Sequence, residues 1–144
     1  MFWSLFASKN QKLVKKWQKE HEEIVVLAHK VIGEYSKNNH EAAKKALQEL
    51  NDIAVDHIMS EDIEFYRLLK DEKRFDAKTK KMIHDFTVTF KDMKLTLMHF
   101  LTKYAKPETP LDAKFFKTFN EIVEVLGERI AFEENNLYNK MSTD

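Results

Sequence analysis

Cysteine is absent from this 144-residue chain. That excludes a disulfide framework, a thiol nucleophile and a thiolate zinc site, so any metal site must be built from histidine and carboxylate. Glycine and proline are scarce as well, two of each. So small a supply of turn residues, with no run that alternates apolar and polar side chains, argues against a sheet and predicts an all-α fold. An excess of either charge is also missing: 24 Lys+Arg face 24 Asp+Glu, with the two signs interspersed. Without a basic excess, no nucleic-acid partner is expected. Long apolar runs are lacking too, and the opening Met1–Phe6 is too short for a membrane span or a signal-peptide core. The composition therefore predicts a cytoplasmic protein. Trp3 and Phe6 suit a short N-terminal arm packed on the fold better than a membrane contact, although Lys9, Lys12, Lys15, Lys16 and Lys19 follow them.

What is present is helical periodicity. One helix is predicted from Lys9 to Lys37, ending at the Asn38-Asn39 turn, with Val14, Trp17, His21, Val25 and Ala28 on its inner face. A second runs from His40 to Lys70 and is followed by the polar break Asp71-Glu72-Lys73-Arg74. Asp76 is a suitable N-cap for a third, which carries Ile83, Phe86, Phe90, Met93, Leu97, Leu101 and Tyr104 and ends at Pro107. In Thr109-Pro110-Leu111-Asp112, Thr109 can cap a fourth helix, Pro110 suits its first turn and Asp112 favours the positive end of its dipole. That helix presents Phe119, Val123, Leu126, Ile130, Leu137 and Met141. Gly33 and Gly127 fall inside helices and are expected where helices pack closely. Four long helices with short connectors predict one domain over residues 1–144, an antiparallel up-down-up-down four-helix bundle.

The second helix contains the informative break. Its apolar stripe Leu47, Leu50 and Ala54 runs into His57 and Glu61 before resuming at Phe65 and Leu68. Steps of three and four place an imidazole and a carboxylate where the core should be, and burying them costs free energy unless each finds a partner. Antiparallel alternation brings the start of the first helix, the end of the second, the start of the third and the end of the fourth to one level. His21, His57, Glu61, His84, Glu133 and Glu134 can meet there. His84 is off the line of Ile83, Phe86 and Phe90, and His29, His40 and His99 read as surface positions. These ligand types suit iron, manganese or zinc.

With these residues placed, the chain resembles the hemerythrin-like, HHE cation-binding family. The resemblance rests on His21 within Glu20-His21-Glu22-Glu23, on His57-Ile58-Met59-Ser60-Glu61 with Asp62 following, on His84, and on Arg129-Ile130-Ala131-Phe132-Glu133-Glu134-Asn135-Asn136-Leu137-Tyr138. It implies a bundle with non-haem iron in its core, carboxylate bridges from Glu61 and the fourth helix, and dioxygen or another small diatomic molecule as ligand. The departure is Arg129, which stands where the family supplies a histidine and cannot ligate a metal because it stays protonated. One ion or a lopsided pair is then expected rather than a full di-iron centre.

Two functions follow as expectations. The first is an iron protein that binds a small ligand for storage or for oxygen, redox or nitric-oxide sensing. The second is a metal-free bundle with a lapsed site, in which Arg129 pairs with Glu133 or Glu61. Such a bundle would regulate a protein partner, by fold-level analogy with bacterial anti-sigma regulators. Neither the Ser-His-Asp arrangement nor a glycine-rich phosphate loop is present, so an enzyme is not expected.

Overall fold

The computed structural model describes residues 9–70 and 76–142. The predicted N-terminal arm with Trp3 and Phe6, the Asp71–Arg74 break and the side chain of Leu68 lie outside the described residues. The described chain consists of α1 (Lys9–Ser36), α2 (His40–Lys70), α3 (Ala77–Ala105) and a last helix in three parts. Those parts are α4 (Ala113–Phe132), a wide π turn (Glu133–Leu137) and α5 (Tyr138–Ser142). No strand occurs among the described residues.

The ends follow local chemistry. α1 stops where Asn38 takes φ of 65°, a left-handed conformation that asparagine tolerates better than most residues. Asp76 caps α3, its carboxylate accepting from the Thr79 N–H at 2.7 Å. The fourth helix begins later than Thr109 suggests: the cap is Asp112, whose Oδ1 accepts from the Phe115 N–H at 2.8 Å. Thr109 instead closes a turn, its N–H donating to the Lys106 carbonyl at 3.1 Å. Lys44, near the start of α2, secures the same connection. Its ammonium donates to the carbonyls of Tyr104 at 2.5 Å and Lys106 at 2.7 Å, and also to that of Thr109.

Side-chain contacts run in opposite order along successive helices. From α1 to α2, Tyr35 stacks on His40 with ring centres 4.6 Å apart, His21 meets His57 at 4.6 Å and Trp17 meets Phe65 at 5.9 Å. From α3 to α4 and its extension, Tyr104 meets Phe115 at 5.0 Å, Phe100 meets Phe119 at 6.2 Å and Phe86 meets Phe132 at 5.3 Å. Two apolar cores result. The larger is built on Leu47, Leu50, Leu101, Phe115 and Phe119, and the smaller on Trp17, Phe65, Phe86, Leu137, Tyr138 and Met141. The predicted stripes supply most of both, with two corrections. Val25 is 41 % exposed because Ile24 takes the inward position. Neither Gly33 nor Gly127 lies at a close helix contact, since a methyl group at either would meet nothing within 4 Å.

Candidate metal centre

Between the two cores lies a layer of buried polar side chains: His21 from α1, His57 and Glu61 from α2, and Arg129 and Glu133 from the last helix, all 3 % exposed or less. Helical phase explains the α2 pair, because His57 and Glu61 continue the stripe that buries Ala54 and Phe65. The last helix needs an extra device. At about 100° per residue, Glu133 and Tyr138 would point some 140° apart on a regular α-helix. The Tyr138 N–H instead donates to the Glu133 carbonyl five residues back, and this wider turn carries both side chains into the interior.

The layer is held closely. His57 Nε2 lies 3.0 Å from Glu61 Oε1, and its Nδ1 lies 2.8 Å from Glu20 Oε1. His21 Nε2 is 3.1 Å from Glu133 Oε1, and the Tyr138 hydroxyl donates to Glu61 Oε2 at 2.5 Å while sitting 3.2 Å from His21 Nε2. The Nε of Arg129 donates to Glu133 Oε2 at 3.3 Å, its Nη2 stands 3.6 Å from Glu61 Oε1, and its plane lies over Phe86, 5.1 Å from the ring centre. Four buried atoms of this layer have no aligned hydrogen-bond partner: His21 Nδ1, His57 Nε2, Glu61 Oε1 and Arg129 Nη2. Polar atoms without aligned partners are costly in a core, and these four fall in one layer.

Protonation divides the layer. Burial, reinforced by repulsion from His57, lowers the pKa of His21 to about 4 and keeps it neutral. Burial also pulls His57 down, but Glu61 and Glu20 outweigh it and the net shift is upward. Glu61 is driven to about 2: burial opposes its charge, and His57, Glu133 and Arg129 together prevail. Burial and the neighbouring Glu61 charge hold Glu133 well above the ordinary carboxylate value, with Arg129 opposing. Glu61 thus carries the negative charge, and Glu133 keeps a proton to higher pH.

His21, His57, Glu61 and Glu133 each offer one donor atom, and all four atoms lie within 4.8 Å of one another. Donors about 2.1 Å from a common ion are separated by at most roughly 4.2 Å, so small side-chain movements would close the set. Two imidazoles and two carboxylates fit one zinc, iron or manganese ion by ligand type, and Glu20 behind His57 supplies the carboxylate that orients a ligating imidazole.

The six positions expected from sequence separate here. Four form the group. Glu134 stands at the rim, its side chain 38 % exposed and its Oε2 3.7 Å from His21 Nδ1. His84 stands apart from the group: with Ile83 and Phe86 turned inward, it falls on the outer, exposed side of α3. At this level α3 presents Phe86 and Phe90 instead, and these pack against the Arg129 guanidinium. Sequence reasoning gave no site role to Glu20 or Tyr138. A signal for Glu20 is its place one residue before His21, and one for Tyr138 is its place at the end of the Arg129–Tyr138 motif, although its inward position depends on the π turn.

Residues 12–141 match the family model described as the Hemerythrin HHE cation binding domain. No curated protein and no solved structure matches the chain. A match across nearly the whole length, over a helical bundle with a buried His/Glu group, places this chain in the hemerythrin HHE cation-binding family.

Proposed function

We propose that the protein binds one iron ion between His21, His57, Glu61 and Glu133 and, through it, dioxygen or a related small diatomic ligand, for storage or for oxygen, redox or nitric-oxide sensing. The observation that carries this reading is the group of four buried residues, His21, His57, Glu61 and Glu133, whose ligand atoms lie within 4.8 Å of one another. A bound ferrous ion would supply the electron density that a diatomic ligand needs, which no side chain here provides. Glu20 holds the His57 ring by its outer nitrogen, and the Tyr138 hydroxyl holds Glu61. Trp17, Phe65 and Phe86 exclude water on the side of the smaller core. Arg129 supplies a fixed positive charge beside both carboxylates, which favours one ion over two. The role is binding rather than turnover. The lack of cysteine suits a reducing cytoplasm, and no helix among the described residues is long and apolar enough to cross a membrane.

Purification without oxygen in the presence of ferrous iron, followed by metal analysis, tests the reading. The expected result is about one iron per chain, by the donor count, with a visible band on adding dioxygen or nitric oxide. Both should be lost in His57→Ala and Glu61→Gln. Absence of iron and of the band sinks it.

One observation favours a second reading, a metal-free bundle that regulates a protein partner. Arg129 already contacts Glu133 at 3.3 Å and Glu61 at 3.6 Å, replacing a metal's charge with an organic cation. In that case the native chain binds no iron while Arg129→His does.

A further inference from the structure

Arg129 is not a metal ligand, and the cavity that it lines points to a different bound group. A cavity of about 270 Å³ opens between α2, α3 and the last helix beside the polar layer. Its buried end is formed by Arg129 and Phe86, 2 % and 3 % exposed. Tyr66 and Phe90 add aromatic wall, and Lys91 and Lys94 bring two further cations. The lining's one carboxylate is Asp62, which Lys94 engages at 2.5 Å. Arg129 Nη2 lies between two carboxylates, 3.8 Å from Asp62 Oδ1 and 3.6 Å from Glu61 Oε1, both beyond hydrogen-bond length. A guanidinium at the buried end, cationic neighbours and aromatic walls together describe a receptor for a flat apolar anion.

We propose that this cavity binds a small aromatic carboxylate. Its carboxylate accepts from the Arg129 guanidinium and is attracted by Lys91 and Lys94, and its ring packs against Phe86, Phe90 and Tyr66. The volume is at the lower end for small-molecule pockets and suits a single substituted ring. The anchor is the guanidinium and not the His/Glu donors, so the site stands whether or not iron binds.

Benzoate serves as the probe and benzamide as its uncharged counterpart, followed through the backbone amide spectrum of the full chain. Benzoate is expected to move the amides of Phe86, Thr87 and Arg129 in a saturable way, and benzamide to bind at least about tenfold more weakly, having lost the charge-assisted contact. Two rim variants separate recognition from packing, because they break the same Asp62–Lys94 pair from opposite sides. Asp62→Asn removes the competing anion and should tighten benzoate by about threefold, whereas Lys94→Gln should weaken it by a similar factor. Arg129→Met should abolish binding; should that variant fail to fold, the opposed pair of rim variants still decides the matter. Equal binding of benzamide, no saturable shift at this cavity, or a change of the same sign in both rim variants overturns the proposal.

Discussion

His21 shows how burial prepares one side chain. Its pKa of about 4 in the folded chain lies below the 6.5 expected when unfolded, so between those values the folded state binds fewer protons. Stability from His21 is therefore present above pH 6.5 and is lost as the pH falls toward 4. The difference corresponds to roughly 3 kcal/mol as an upper bound. His57 has the opposite sign: its raised value contributes stability that is complete below 6.5 and is lost as the pH rises through its folded value. In metal-free protein, the urea midpoint should fall on acidification from pH 6.5 to 4, and His21→Gln should flatten that fall. An unchanged slope would mean that His21 is not buried neutral. At this scale the sequence was informative wherever helical phase alone set the direction, as for His21, His57, Glu61 and Glu133. For His84, chemistry that suits a metal competed with a phase already off the line of Ile83 and Phe86, and the phase decided: the side chain is exposed.

Each helix is specified by its stripe and caps, and the α2 limits follow from the sequence directly. The start of α4 does not, because Thr109 and Asp112 are both competent caps and only the contact to Phe115 N–H distinguishes them. Gly127 illustrates the same limit. Its position in a helix suggested close packing, yet it is exposed with open space around its Cα. Gly127→Ala should therefore stabilise the protein by about 0.5–1 kcal/mol, through reduced freedom of the unfolded chain and better helix propensity. Calorimetry should show a melting temperature higher by a few degrees. A lower one would mean that the glycine is required by a contact. Tyr138 depends on the π turn, a departure from regular helix that periodicity counted at 3.6 residues does not anticipate.

For the whole molecule, the decisive arrangement is two apolar cores separated by a charged layer. The smaller core joins the start of α1, the end of α2 and α5 through Trp17, Phe65 and Met141. It is separated from the larger core by a layer of buried charged and polar groups. Its amides should exchange faster than those around Leu47, Leu101 and Phe119. Bound metal at a hundred times its dissociation constant would add about 2.7 kcal/mol. That gain should slow exchange most in α5 and around Trp17, as read by hydrogen-exchange mass spectrometry. A uniform change along the chain would contradict the division into two cores.

The sequence by itself determined the all-α class, the helix stripes and the histidines and carboxylates that interrupt them, because helical phase and capping act over a few residues. Only the tertiary structure decided which groups meet. Whether Tyr138 turns inward with Glu133 depends on one wide turn, and whether α3 supplies a ligand or an aromatic wall depends on how that helix is rotated against its neighbours. The place of Arg129 was also decided by packing: Phe86, Phe90, Glu61 and Glu133 come from three segments of the bundle, and only their convergence holds a guanidinium between a His/Glu group and a cavity.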